Sequence, residues 1–296
     1  MNNFVRIDHP NNPPDFRRGF RGCVPYVYEM ARYALTNAEW CDFLNAVGET
    51  VVLHHKLYHK DMTSGILGGI EKADGDYVSK TGWGKKPVVY VNYTSLLRYC
   101  NWLQSGETEH GAYNLCTMPP QRLPGARYFL PTDDEWYKAA YYDPQGNRYY
   151  RYPTQSDEVP SQDQANFERG DAFAPLALTD TLPTYLVDVD AYAETPSPWG
   201  VVQMGGNCWE YLEDTWCPGG TLSNKLRGGS FGYTETGLAA TNTDAGKYNG
   251  RCYVFGARLA RCLDGWQRRR RPLRYRVMAD VVKPLARLRH DLRHLR

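Results

Sequence analysis

Two long segments of this chain, residues 50–86 and 143–200, show almost no helix or strand periodicity. The 296 residues include 27 Gly, 19 Pro and 23 Tyr, so turns and aromatic contacts must replace long regular elements. This pattern excludes a helical bundle. Because 42% of the residues are hydrophobic, the chain can still bury a sizeable core. We therefore predict a loop-rich globular protein.

Three other segments carry regular signals. Thr36 and Asn92 have the side chains of helix N-caps, and apolar residues follow each of them at helical spacing. Residues 127–132 predict a short strand that runs into a capped helix over 133–141. By contrast, residues 50–86 are rich in Gly, Lys, His and Ser, and we interpret them as a long excursion over the surface.

Cysteine and histidine usage does not indicate a metal site. The eight cysteines form no CxxC pair and no cluster at zinc-ligand spacing, so we interpret them as mostly small core residues. His54, His55 and His59 have no carboxylate or cysteine at a defined spacing beside them, which disfavours a metal site there. We find neither a signal peptide nor a run of about 18 apolar residues, and we expect a cytoplasmic protein without a transmembrane segment.

Five sequence phrases occur in a recognisable order. They are residues 33–40 (YALTNAEW), 86–93 (KPVVYVNY), 128–136 (YFLPTDDEW), 205–211 (GGNCWEY) and 226–231 (LRGGSF), the last followed by 256–260 (GARLA). Together they resemble the formylglycine-generating-enzyme, or sulfatase-modifying-factor, family. The resemblance implies an α+β, C-type-lectin-like fold, loop-rich with a small twisted antiparallel sheet and flanking helices. We predict an N-terminal arm (1–23), this domain (24–265) and a C-terminal tail (266–296).

The resemblance also implies what chemistry to expect. Enzymes of this family bind copper through two cysteine thiolates shortly after the Gly-Gly-Ser phrase, because soft sulfur ligands favour Cu(I). Here Tyr233 and Gly237 or its neighbours stand at those positions. We therefore expect no copper and no formylglycine synthesis, which favours a non-catalytic protein. Trp136, Trp209, Arg227 and Arg258 we interpret as framework residues.

A structural calcium site is a second implication of the resemblance. The family holds the ion near its Gly-Asn-x-Trp-Glu phrase through hard oxygen donors. The matching residues are Gln203, Gly206, Cys208 and Glu210, and a second site in relatives matches Asn166 and Phe167, with Asp180 as a loose candidate for its carboxylate. The alternative is that Glu210 pairs with an arginine.

Residues 232–255 have the composition of a recognition surface. Tyr provides contact area at low entropic cost, and small polar residues provide adaptable hydrogen bonds. Ligand-binding proteins diversified by retroelements resemble this chain in the same frame around their variable positions. The candidate binding residues are Tyr233, Thr234, Glu235, Thr236, Thr241, Asn242, Thr243, Asp244, Lys247, Tyr248, Asn249, Arg251 and Tyr253. The alternatives are a solvated loop on an accessory maturation factor, or an oxidoreductase of the family with an unrecognised metal site.

The C-terminal tail predicts a short basic amphipathic helix. From residue 266 it carries ten Arg and one Lys against two Asp, a charge of +9, whereas the whole chain is +2 and residues 1–265 are therefore −7. The arginines Arg268, Arg269, Arg270 and Arg271 precede a stripe of Leu285, Leu288, Leu292 and Leu295. We expect a protein partner for this helix, with nucleic acid and an anionic membrane face as alternatives.

Overall fold

The computed structural model describes residues 3–168, 185–217 and 221–263. The helices are α1 (Asn37–Val47), α2 (Glu49–His55), α3 (Asp61–Ser64), α4 (Tyr93–Ser105), α5 (Asp133–Tyr141) and α6 (Glu235–Leu238). The strands are β1 (Phe4–Ile7), β2 (Tyr28–Ala31), β3 (Ile70–Ala73), β4 (Asp76–Ser79), β5 (Tyr113–Asn114), β6 (Gln121–Arg122), β7 (Tyr128–Phe129), β8 (Tyr142–Asp143), β9 (Arg148–Tyr149), β10 (Trp209–Trp216), β11 (Ser223–Arg227), β12 (Asp244–Lys247), β13 (Phe255–Ala257) and β14 (Ala260–Arg261). Asp180 and the tail beyond 265 lie outside the described residues.

Two small four-stranded sheets organise the fold. The first has the order β1-β2-β14-β7, with antiparallel neighbours, so the last strand lies between two early ones. The second has the order β12-β11-β10-β13, antiparallel except for the parallel pair of β10 and β13. With the short helices and long loops around them, these sheets confirm the α+β fold class that the resemblance implies.

The predicted helix starts are confirmed with their caps. Thr36 accepts a hydrogen bond from the Glu39 amide and Glu39 reaches back to the Thr36 amide, which is a complete capping box. Thr132 and Glu135 make the same exchange at the start of α5. Asn92 caps α4 by accepting from the Ser95 amide. These caps satisfy main-chain donors that the helices leave unpaired at their first turns.

The segment 50–86 is more regular than we predicted. It contains α2, α3 and the hairpin of β3 and β4, not only irregular surface chain. The hairpin turn is Asp74-Gly75, both residues with positive φ (54° and 95°), which is the Asp-Gly signature of a two-residue hairpin. The prediction was wrong here because it gave weight to missing periodicity and none to the turn.

Aromatic side chains dominate the core. Trp40, Trp136 and Trp209 are fully buried, and most of the buried hydrophobic residues form one continuous cluster. Such plates fill the irregular spaces between loops that short elements leave open. Within the described part of the chain, no helix has both the length and the apolarity to span a bilayer.

Candidate functional site

Arg227 holds the middle of the candidate recognition segment. Its guanidinium is fully buried; Nε pairs with the Asp133 carboxylate at the start of α5, and Nη1 donates to the Asn242 carbonyl at 2.6 Å. Burial alone would raise the pKa of Asp133, but Arg227, Lys225 and Arg21 together hold it well below its usual value. Arg227 therefore connects the Asn242 carbonyl to the ionised Asp133 carboxylate at the start of α5.

Arg258 holds the chain just beyond the end of the segment 232–255. Its Nη1 donates to the carbonyls of Ala31 (3.0 Å) and Arg32 (2.8 Å), and its Nη2 lies 2.9 Å from Glu210 Oε1. The Trp136 indole N–H donates to Glu210 Oε2 at 2.6 Å. All of these side chains are buried. Arg227 and Arg258 are thus the framework residues that the sequence predicted, and each binds a carboxylate and main-chain carbonyls.

The residues matched to a calcium site are bonded within the protein as the structure places them. Both oxygens of Glu210 accept from Arg258, and the Gln203 amide accepts from Asn207 (2.8 Å) and donates to the Asp188 carbonyl (2.8 Å). Calcium needs carboxylate and amide oxygens free to face it. Because the Glu210 and Gln203 side chains face protein partners, they do not fit the ion in this arrangement. Glu210 pairs with an arginine, which was the alternative. The calcium site stays a prediction from the resemblance.

The second candidate pair lies beside the first. The Asn166 carbonyl accepts from the Asn207 amide at 2.8 Å, and its side-chain amide donates to the Tyr185 carbonyl at 2.8 Å. Gly206 forms a bridge with Asn166, and Phe167 is buried. In residues 3–168, 185–217 and 221–263, no three His, Cys, Asp or Glu side chains are grouped as metal ligands would be.

The two positions that match the copper cysteines are Tyr233 and Gly237, and both are closely packed. The Tyr233 ring packs edge-on against Trp209 with centroids 5.0 Å apart. A side chain at Gly237 would meet the Cβ of Tyr233 at 3.1 Å. The neighbouring thiol of Cys208 is buried, and burial raises its pKa well above the usual value, so it stays protonated. A thiolate copper site of the family type does not fit these residues.

The candidate segment 232–255 is partly regular. It contains α6 and β12, which the composition of the segment did not predict. β12 pairs with β11. Within β12, Gly246 leaves room for the Phe255 ring, which would lie 2.9 Å from a Cβ at that position. Of the predicted binding residues, Thr236, Thr241, Lys247, Asn249 and Tyr253 are exposed, and the half-buried ones are Tyr233, Thr234, Glu235, Asn242, Thr243, Asp244, Tyr248 and Arg251.

Two of the predicted binding residues act as anchors. The Asn249 side chain accepts from the Thr94 amide at 3.0 Å, and so adds a second cap to α4. Arg251 donates to the carbonyls of Tyr90 (2.8 Å) and Lys56 (2.5 Å). Burial lowers the Arg251 pKa. These bonds attach the segment to Lys56, Tyr90 and the start of α4, and no local sequence signal predicts these contacts.

A row of aromatic rings lies against the candidate segment, in which Tyr253 is exposed, Tyr185 half-buried and Phe231 buried. Phe231 lies between Tyr185 and Tyr253, with centroids 5.2 Å and 6.5 Å away. Sequence reasoning missed Tyr185, which belongs to the weakly periodic segment before residue 200. No pattern in that segment separates it from other tyrosines.

Two of the three histidines in residues 50–60 lie beside carboxylates. His55 Nε2 lies 3.3 Å from Glu109, and His59 Nδ1 lies 3.4 Å from Asp61. Burial lowers the pKa of both imidazoles.

Known proteins share the sequence pattern of this chain. A family model described as the sulfatase-modifying factor enzyme 1-like domain matches residues 24–263. Two curated relatives, both hercynine oxygenases, come from Mycolicibacterium smegmatis and Mycolicibacterium thermoresistibile. Both are 27% identical, over 200 and 201 residues, which is 62% of this chain and 36% and 35% of the relatives. The chain thus matches about a third of the length of those relatives.

Two solved structures share the fold. The crystal structure of CarF aligns with a TM-score of 0.60 at 19% identity, covering 89% of this chain and 99% of that one. The Treponema denticola variable protein 1 aligns with a TM-score of 0.55 at 17% identity, covering 88% and 95%. At these identities the likenesses establish the fold alone.

Proposed function

This chain belongs to the sulfatase-modifying factor family, whose domain spans residues 24–263, and we propose that it is a non-catalytic recognition protein of that family. Residues 232–255, with Tyr185 beside them, are the recognition surface. The observation that carries the proposal is a main chain held in place by anchors, with polar side chains exposed on it. Arg227, Asn249 and Arg251 hold the segment, while Thr236, Thr241 and Lys247 face solvent.

Such an arrangement suits a surface whose side chains vary. Anchors hydrogen-bonded to the frame pre-organise the backbone, so a ligand does not have to order it. The exposed residues can then be replaced with little effect on folding, because exposed substitutions are usually near neutral. The fold shared with the Treponema denticola variable protein 1 supports this interpretation.

The proposal makes a genetic prediction that is simple to check. If the segment is a target of a diversity-generating retroelement, sequences from many isolates should differ at the codons for the exposed, non-anchoring residues Thr236, Thr241 and Lys247. The codons for Arg227, Asp133 and Arg258 should be constant, and a reverse transcriptase gene with a near-copy of the segment should lie nearby. Equal variation across the segment and the rest of the domain would contradict the retroelement interpretation.

A second candidate function has its own support. The curated relatives are hercynine oxygenases, so an oxidoreductase or an accessory maturation factor with an unrecognised metal site is the alternative. Metal analysis of the purified chain by mass spectrometry, combined with an oxygen-consumption assay, separates the two. Recognition alone predicts neither stoichiometric copper or iron nor oxygen uptake.

The tail adds a further part to the proposal. We propose that the helix predicted over Leu285–Leu295 docks on another protein, with Arg268–Arg271 steering the encounter. A short isolated helix is hardly stable in water, so a leucine stripe needs a surface to bind. The acidic balance of residues 1–265 makes an oppositely charged partner available within an assembly of this chain.

A further inference from the structure

A second surface lies outside the family domain. Residues 15–21, here called the aromatic loop, precede the first residue of the family match, Val24. Phe16 and Phe20 are 61% and 40% exposed, and their rings pack edge to face with centroids 5.4 Å apart. Exposed phenylalanines in pairs are uncommon on soluble proteins and mark binding sites when they are held in place.

The loop is held firmly beneath the two rings. The buried Asp15 carboxylate accepts from the Arg17 amide (3.0 Å), from Arg18 Nη1 (3.1 Å) and from the Tyr137 hydroxyl (2.8 Å). The Asp15 amide donates to the Arg21 carbonyl, and the Phe20 amide donates to the Asp15 carbonyl, both at 2.8 Å. These bonds close residues 15–21 into a rigid unit on α5.

The backbone at Phe20 is strained. Its φ is +59°, a left-handed conformation that bulky side chains rarely adopt. This conformation follows Gly19, whose φ of +94° begins the reversal. Strain of this kind persists where the surrounding structure enforces it, and it is concentrated at functional sites. Here its result is an aromatic pair at the surface.

Charge decides what kind of partner the loop fits. Arg18 pairs with Asp15 and lies 4.0 Å from Asp157, and Arg21 lies 3.8 Å from Asp133. In the described part of the chain Arg17 has no such carboxylate, and it is exposed. The loop therefore offers two rings and one unpaired cation. A polyanion or an anionic membrane would require several free cations.

We propose that the aromatic loop inserts Phe16 and Phe20 into an apolar pocket of a partner protein whose rim carries a carboxylate opposite Arg17. Phenylalanine and arginine are both enriched at the cores of protein interfaces, and arginine is frequent among their hot spots. Because the loop is already ordered, binding costs little conformational entropy. This contact is independent of the surface at 232–255.

Photo-cross-linking of the full chain in its native cells tests the proposal. Benzoylphenylalanine replaces Phe16 in one variant and Leu53, which is 66% exposed, in the control. We expect one protein adduct from position 16 and none from position 53. The cross-linked peptide should border an apolar pocket with Asp or Glu at its rim.

Binding of the purified adduct partner then completes the test. Phe16→Ser and Phe20→Asn should each weaken its affinity by about tenfold or more. Arg17→Glu should weaken it similarly, whereas Arg17→Lys should change it little. Phe20→Asn should leave the melting temperature equal or higher, because Asn tolerates the left-handed backbone. A merely structural role of Phe20 predicts a lower one.

Several results would overturn the proposal. They are the absence of an adduct above the Leu53 control, a cross-link to a second copy of this chain, and affinity unchanged by the phenylalanine variants. Sedimentation with phosphatidylglycerol vesicles, or salt-sensitive binding to RNA, that is lost in Phe16→Ser would assign the loop to a membrane or to nucleic acid instead.

Discussion

Arg258 and Glu210 form a buried ion pair with 2.9 Å between Nη2 and Oε1. It joins the end of the recognition segment to β10, and through the Arg258 bonds to the Ala31 and Arg32 carbonyls it also joins β2. The pair therefore connects the two four-stranded sheets.

The first prediction concerns this pair. Glu210→Gln should lower the free energy of unfolding by about 3–5 kcal/mol, because it leaves the Arg258 charge buried without a counter-ion. Glu158→Gln, at an exposed carboxylate, should change it by less than about 0.5 kcal/mol. Denaturant melts in calcium chloride and in chelator measure both variants.

The same melts address calcium. We expect the loss in Glu210→Gln to be equal with and without the ion, since the carboxylate faces Arg258. A wild-type melting temperature that calcium raises, with no rise in Glu210→Gln, would show that Glu210 is a calcium ligand as the resemblance implies.

The second prediction separates anchors from free positions in the recognition surface. Arg251→Met should destabilise the fold by about 1–3 kcal/mol, because the Tyr90 and Lys56 carbonyls lose their donor. Lys247→Met and Thr236→Ala should stay within about 0.5 kcal/mol. Thermal melts compare the three. Equal losses would mean that the exposed residues support the fold and are not free to vary.

The third prediction uses the buried lysine of α5. Burial lowers the pKa of Lys138 from 10.5 to about 7, although nearby Cys23 and Asp8 oppose the shift; its Nζ donates to the His9 carbonyl at 2.9 Å. Between pH 7 and 10.5 the unfolded chain therefore binds more protons at this site than the folded chain, so stability contributed by Lys138 rises with pH. Below pH 7 the cost of burying the charge is fully present.

Lys138→Met should remove this dependence. The free energy of unfolding of the wild type should rise between pH 6.5 and 9, and the variant should show a flatter profile and greater stability at pH 6.5. Chemical denaturation at each pH measures the difference. A parallel rise in wild type and variant would place the titrating group elsewhere.

The fourth prediction concerns the tail, which lies outside the described residues. Truncation after Gly265 should leave a folded domain that no longer associates with the natural partner. Substituting Leu288 and Leu292 by Asp should have the same effect, whereas charge reversal at Arg268–Arg271 should mainly slow association. Silent leucine changes, with arginine changes that abolish binding and a steep salt dependence, would identify a polyanion binder.

Local chemistry was enough to predict some of this structure. The capping residues Thr36, Asn92 and Thr132 were identified because a cap depends on neighbours within a few positions. Arg227 and Arg258 were expected to be framework residues because of the geometry of the guanidinium group. Their partners could not be assigned, because Arg227 and Asp133 are 94 residues apart and many carboxylates qualify.

Other features depended on signals that were not weighed or do not exist. The Asp74-Gly75 turn was visible in the sequence and should have predicted the hairpin. The contact of Arg251 with the Lys56 carbonyl joins residues 195 positions apart, and only the completed fold creates it. The pairing of Phe16 with Phe20 depends on the left-handed backbone at Phe20, which residue preferences disfavour.

The position of β14 has a consequence for synthesis of the chain. Ala260 and Arg261 lie between β2 and β7 in the first sheet, so neither early strand has its full set of neighbours until the end of the domain exists. On a ribosome, about 230 residues follow β2 before its second partner, β14, is made, and loop closure over such distances is slow. The nascent domain therefore waits with open strand edges, and its yield in cells should depend on chaperones that shield those edges until residue 261 emerges.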